Sequence, residues 1–90
     1  MTAMTESQIQ RQITAWLKAA GFLVWKISDR YRSGIPDLYA LRNGDSYWFE
    51  VKRPGGRVSK LQEHEIGQLR NHGGLAFVVR SVDDVRGVVI

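Results

Sequence analysis

The sequence contains no cysteine, which excludes disulfide bridges and thiolate metal sites. Its apolar runs are much shorter than the ~20 residues that a membrane-spanning helix needs. The first ten residues, MTAMTESQIQ, lack the basic and apolar regions of a signal peptide. There is also no internal repeat, linker or low-complexity tract. We therefore expect a single domain over residues 1–90 that is cytoplasmic and does not contact a membrane.

What is present is a basic surface in an otherwise ordinary globular composition. The apolar fraction is 43%, the charged fraction is 24%, and the net charge is +4. The stretch KRPGGRVSK, residues 52–60, has four basic residues and no acid, and Lys26, Arg30 and Arg32 form a second basic cluster. Such clusters are typical either of a solvated basic face or of a site for a polyanionic substrate.

Apolar periodicity and turn residues predict a small mixed sheet with helices packed on it, in the order α-β-β-β-α-β-α. Thr5 and Gln8 form a capping-box pattern before the first helix, which Gly21 ends. The remaining predicted elements are a strand over 22–27, a hairpin over 37–52, a helix from Ser59 to Gly73, a strand over 75–80 and a short helix opened by Ser81.

The hairpin register follows from Asn43-Gly44, the preferred central pair of a type I′ turn. A two-residue loop pairs positions whose numbers sum to 87, so Asp37 faces Glu50. A three-residue loop would shift the register by one and separate the two acids. Directly opposed side chains have β-carbons roughly 4.5–5.5 Å apart, at which distance like charges repel. Lys52 lies two positions beyond Glu50 and therefore on the same face.

Three outcomes relieve the repulsion between these carboxylates. One acid keeps its proton, Lys52 neutralises part of the charge, or a divalent cation binds between the two acids. Carboxylate oxygens suit Mg²⁺ or Mn²⁺, and the backbone carbonyl of Val51 offers a further oxygen. The alternative is a water-exposed hairpin face with ordinary surface charges.

Two further polar side chains lie near the inward stripes of the helices. Glu6 is a third candidate acid, although an acid in the first turn of a helix also complements the helix dipole. Gln62 lies on the inward stripe of the second helix, although it also completes a capping box with Ser59. His64 and His72 have no third ligand in view, so we interpret them as helix-surface residues and not as a zinc site.

Pro36-Asp37 followed by Glu50-Val51-Lys52 resembles the PD-(D/E)xK nuclease superfamily. The wider succession from Thr5 to Val85, with SGIPDLYAL, the basic glycine-rich loop, SKLQ and HGG, resembles the virus-type replication-repair nuclease domain, VRR-NUC, in its compact stand-alone form. This resemblance implies a restriction-endonuclease-like core in a phage, viral or bacterial context.

The resemblance also implies roles for individual residues. Asp37 and Glu50, with the Val51 carbonyl, would hold Mg²⁺ or Mn²⁺, and Glu6 would be a further acidic site residue. Lys52 would be the catalytic lysine, and Gln62 would orient the lysine, a water or the phosphate. Nearby basic side chains would grip DNA phosphates without reading sequence. They are Arg30, Arg32, Arg53, Arg57 and Lys60.

The activity that the resemblance implies is hydrolysis of branched DNA. Stand-alone members resemble dimeric resolvases of four-way (Holliday) junctions, with an expected role in DNA repair and recombination. A two-fold dimer would supply two symmetric cuts. Candidate dimer surfaces are exposed apolar residues of the first helix and the C-terminal VVI. Two alternatives stay open: a monomeric flap or nicking nuclease, and a DNA-binding module without catalysis.

Overall fold

The computed structural model describes residues 3–27 and 32–89 of the chain. Four strands form one sheet in the order β1-β2-β3-β4, in which β1–β2 and β2–β3 are antiparallel and β3–β4 is parallel. The predicted mixed sheet and element order are confirmed. The elements are α1 (Glu6–Ala19), β1 (Leu23–Lys26), β2 (Leu38–Arg42), β3 (Asp45–Val51), α2 (Lys60–Asn71), β4 (Leu75–Val79) and α3 (Val82–Val88).

Helix α1 begins and ends as its sequence predicts. The Thr5 hydroxyl accepts a hydrogen bond from the Gln8 N–H at 3.1 Å, and the Gln8 side chain accepts one from the Thr5 N–H at 2.8 Å. Gly21 adopts a φ of +90°, which a residue without a β-carbon adopts readily. The buried stripe of α1 consists of Ile9, Ile13 and Leu17.

The Asn43-Gly44 turn sets the hairpin as expected. Both residues have positive φ, 52° and 84°, as a type I′ turn requires. Arg42 pairs with Asp45 and Leu38 pairs with Phe49, so the predicted register, in which paired numbers sum to 87, is confirmed.

The two faces of the sheet are covered by different helices. One face packs against α1 and α3 to form the core, and its buried residues are Leu38, Ala40, Tyr47, Phe49 and Val51. Helix α2 connects the parallel strands β3 and β4 and lies over part of the opposite face, where its side chains reach Glu50. Helix α2 packs against this second face at β4.

Strand β1 is shorter than the predicted segment 22–27. The N–H of Phe22 donates to the carbonyl of Leu17 at 3.0 Å and so belongs to the end of α1. Its side chain is buried in the core. The Ile27 N–H still donates to the Asp37 carbonyl at 2.8 Å, so pairing with the β2 side continues beyond Lys26.

Of the apolar residues of α1, Ile9, Ile13 and Leu17 are buried in the core of the chain itself, and Trp16 and Ala20 are partly buried against it. Val88 and Val89 are also partly buried against that core, while Ile90 lies outside the described residues. Within residues 3–27 and 32–89, no helix has both the length and the apolar character to cross a membrane.

Candidate active site

The site forms where the hairpin strands end next to α1 and α2. Asp37 immediately precedes β2, and the register that pairs Leu38 with Phe49 carries Asp37 to a position opposite Glu50. Its side chain is fixed there because Oδ2 accepts a hydrogen bond from the Val51 N–H at 2.8 Å. The two acids, which are far apart in sequence, are therefore neighbours on adjacent strands.

Glu50 is a buried acid, with only 2% of its surface exposed. Its Oε1 accepts a hydrogen bond from Gln62 Nε2 at 3.1 Å and lies 3.8 Å from Lys52 Nζ. Its Oε2 is buried and receives no hydrogen bond from any described residue. Because an unpartnered buried carboxylate oxygen is costly, this atom indicates either a bound proton or a cation.

The electrostatic surroundings raise the pKa of Glu50 from 4.5 to about 8. Burial is the largest cause, and the nearby negative charge of Asp37 adds to it. Glu6 raises the pKa slightly further, whereas Lys52 lowers it. The raised pKa favours the protonated form of Glu50, which is one of the three outcomes left open by the sequence.

Gln62 completes the helix cap and also contacts the buried acid. Its Oε1 accepts a hydrogen bond from the Ser59 N–H at 2.9 Å, which completes the capping box of α2. Its Nε2 donates to Glu50, so the helix cap and the buried acid are held by one amide group. Gln62 thus contacts the acid, and not Lys52, in this structure.

Lys52 follows β3 directly and is held from its backbone. Its N–H donates to the Val79 carbonyl at 3.0 Å, which extends the pairing of β3 with β4. Its side chain is only 13% exposed. The ammonium group is therefore kept beside Glu50 and away from bulk water.

Glu6 and Val51 share a cavity with Asp37. These three residues line a cavity of about 190 Å³ together with Lys26 and Gln10. Within the described ranges, no group of three or more His, Cys, Asp or Glu side chains is arranged to hold a metal ion. Glu6 is exposed in the first turn of α1, where its charge also complements the helix N-terminus.

The predicted phosphate-gripping residues differ in their surroundings. Arg53, Arg57 and Lys60 are exposed on the loop between β3 and α2 or at its end. Arg32 is exposed, but its Nη2 binds the Glu65 carboxylate at 2.9 Å, so a phosphate has to compete with this ion pair. Arg30, like Tyr31 beside it, lies outside the described residues.

Sequence reasoning missed Arg80, at the end of β4. Its Nη1 donates to the carbonyls of Arg53 and Gly56, both at 2.8 Å. It therefore fixes the glycine-rich loop that carries the basic side chains. The residue follows a buried strand and precedes a helix cap, and nothing local in that pattern points to a loop 27 residues earlier in the chain.

The two histidines are helix-surface residues, as expected. His64 is exposed on α2, and His72 is the exposed C-cap of the same helix. Its Nδ1 lies 2.7 Å from the Gln68 carbonyl.

A small mixed sheet with an acid before one strand, and a buried Glu-x-Lys at the end of the next, defines the PD-(D/E)xK class of domain. Residues 2–83 match the sequence profile of the VRR-NUC domain, and the chain belongs to that family. A solved structure described as "VRR_NUC domain" superposes with a TM-score of 0.82 at 32% identity, covering 93% of this chain and 94% of the other.

Two further comparisons agree with this assignment. The chain is 30% identical over 84 residues to "Putative nuclease p44" of Acyrthosiphon pisum secondary endosymbiont phage 1, covering 92% of this chain and 90% of that protein. A second solved structure, described as "VRR_NUC domain protein", has a TM-score of 0.81 at 21% identity, with coverage of 97% and 86%, and supports the fold.

Proposed function

We propose that this chain is a Mg²⁺- or Mn²⁺-dependent endonuclease that hydrolyses phosphodiester bonds in branched DNA, with residues 1–90 forming one nuclease domain. The observation that carries the proposal is the buried Glu50, opposed by Asp37 and flanked by Lys52, in a chain of the VRR-NUC family. Burying Glu50 next to a second acid costs stability, and a catalytic site is a common reason for such a cost.

The acid pair fits a divalent cation. Glu50 Oε2 has no protein donor among the described residues, and burial together with the neighbouring Asp37 raises the pKa of Glu50. Asp37 and Glu50 would be the side-chain ligands, with the Val51 carbonyl and Glu6 beside them. When bound, the cation would supply positive charge to the phosphate and make an attacking water more acidic.

The other side chains act on the substrate or on the acids. Lys52, held 3.8 Å from Glu50 Oε1, presents donors to a phosphate oxygen and stabilises the charge that grows on it during attack. Gln62 fixes the rotamer of Glu50 from the N-terminus of α2. Because both groups are attached to regular elements, the site needs little rearrangement when the substrate binds.

The substrate that we propose is a four-way junction, cut by a homodimer. The positive net charge and the exposed basic loop at Arg53, Arg57 and Lys60 suit a phosphate backbone. Arg80 fixes this loop beside the site, which gives the phosphate contacts a defined position. Two symmetric cuts require two sites, which a two-fold dimer provides. Such a nuclease acts inside the cell, where branched DNA arises.

The test is a cleavage assay on a labelled four-way junction with Mg²⁺ or Mn²⁺, combined with a mass measurement in solution. We expect paired symmetric nicks and the mass of a dimer. Asp37→Asn should abolish cleavage and retain DNA binding, whereas Asp83→Asn, which removes an exposed acid on α3, should cleave normally.

Each other outcome has a definite meaning. Cuts confined to single-stranded arms by a monomer would replace the resolvase with a flap or nicking nuclease. Retarded mobility without cleavage by the wild-type protein would identify a binding module. Wild-type cleavage rates in Asp37→Asn would refute the assigned site.

A further inference from the structure

A row of three aromatic rings crosses the sheet next to the acid pair. Trp25 on β1 pairs with Tyr39 on β2, which pairs with Trp48 on β3, so all three side chains lie on the same face. The ring centroids are 5.7 Å apart for Trp25–Tyr39 and 5.2 Å apart for Tyr39–Trp48. The row therefore runs from the sheet interior to its edge.

The outer end of the row is exposed, although the inner end is packed. Trp25 is 60% exposed on the edge strand β1, whereas α2 packs against β4 at the other edge of the sheet. Tyr39 is held from the other side by a hydrogen bond of 2.9 Å between its hydroxyl and Ser46 Oγ, as well as by Trp48. The contacts with Ser46 and Trp48 hold the Tyr39 ring in place without Trp25. The exposed face of Trp25 is therefore not needed to pack the core.

The row and the acids occupy consecutive positions on the same face. Asp37 lies two residues before Tyr39, and Glu50 lies two residues after Trp48. At about 3.4 Å per residue, the separation along the strands is about 7 Å. Trp25 lies one strand spacing beyond Tyr39, about 4.8 Å, so its backbone is roughly 8 Å from that of Asp37, which is the scale of a nucleotide. A DNA strand whose phosphate lies at the acids therefore brings a nearby base to Trp25.

We propose that Trp25 is a stacking site for a base that leaves its pair at the branch point when the protein binds the junction, close to the phosphate that is cut. Every base has a π-face, so such a site accepts any unpaired base and selects branch points over continuous duplex, in which the bases are already stacked. The next residue, Lys26, is exposed and lines the cavity that contains Asp37 and Glu6. Because Lys26 pairs with Leu38, it lies on the face opposite Trp25, and its charge faces that cavity and not the stacked base. This inference rests on the proposed function and names the structural feature that the site recognises.

A double-mutant cycle between the protein and the DNA tests this contact. Binding is measured in Mg²⁺ in a Glu50→Gln background, with a four-way junction and with the same junction carrying abasic residues at the branch point. Trp25→Ala should weaken binding to the intact junction about 10-fold, in the range found for one base stacked on an aromatic ring. It should have little further effect on the abasic junction, because the partner base is already absent.

Two control variants make the result specific. Trp25→Phe keeps an aromatic face and should retain most of the affinity. Leu75→Ala removes an exposed apolar side chain from the opposite edge strand, β4, and should bind both junctions as the parent protein does.

Equal losses on the intact and abasic junctions would overturn the stacking site. The same holds for a conversion from dimer to monomer in Trp25→Ala, which would assign the exposed ring to contact with a second copy of the chain. The two proposals fail separately. Junction cleavage by the wild-type protein without the coupling removes only the stacking site, whereas the coupling without any cleavage removes only the nuclease.

Discussion

The buried acid pair predicts an unusual pH dependence of stability. Glu50 has a pKa of about 8 in the folded chain and an ordinary value of 4.5 when exposed. Below pH 4.5 the group is protonated in both states. Between pH 4.5 and 8 the unfolded chain ionises while the folded chain keeps its proton. The free energy of unfolding therefore falls as pH rises through this window in the absence of a divalent cation.

The size of the effect follows from the shift. One pKa unit corresponds to about 1.4 kcal/mol. The free energy of unfolding should therefore fall by roughly 3 kcal/mol between pH 5.5 and pH 8 because of this one group. A domain of this size has a total stability of only ~5–15 kcal/mol. Replacing Glu50 with glutamine keeps the shape and removes the titration, so Glu50→Gln should gain roughly 3 kcal/mol relative to the wild-type chain between these two pH values.

The measurement is urea unfolding followed by tryptophan fluorescence at pH 5.5 and pH 8 in EDTA. Glu63→Gln, which removes an exposed acid from the first turn of α2, is the matched control and should follow the wild-type profile. Contributions from groups that are common to all three proteins cancel in the comparison. Parallel profiles for the wild-type chain and Glu50→Gln would refute the claim that Glu50 is buried beside a like charge.

Three further outcomes are expected. Lys52→Ala should abolish cleavage but keep divalent-cation affinity within a few-fold, since the acids remain; loss of cation binding in calorimetry would contradict its role at the phosphate. Arg57→Ala should weaken binding to unrelated DNA sequences by similar factors. The slope of log affinity against log salt concentration should also decrease by about 1, because one phosphate contact is lost. A loss of affinity confined to one sequence would count against phosphate gripping. Gly34→Ala should lower the free energy of unfolding by about 1–3 kcal/mol, because Gly34 has a φ of +88° and an added β-carbon would lie 2.7 Å from Leu61 Cγ. Chemical denaturation measures this last effect, and an unchanged midpoint would show that the approach to α2 relaxes easily.

Local chemistry in the sequence determined the helix starts and the hairpin. The two capping boxes, at Thr5 and Ser59, each join residues three apart, and the Asn43-Gly44 turn joins adjacent positions. Such patterns depend on the backbone within one turn and hardly on the rest of the molecule. Because the side-chain period of a strand is two, a turn of known length also fixed which residue faces Glu50. That is why the proximity of two distant acids could be predicted.

The tertiary structure alone decided what surrounds those acids. Burial of Glu50 and its unpartnered oxygen depend on how α2 packs over the sheet, and the same packing turns the capping amide of Gln62 toward Glu50. Arg80 reaches back to the basic loop only because the parallel pairing of β3 and β4 brings their ends together. The exposure of Trp25 likewise results from the limited cover that α2 gives the sheet. These features depend on contacts between segments far apart in the chain, whose relative positions no short sequence pattern specifies.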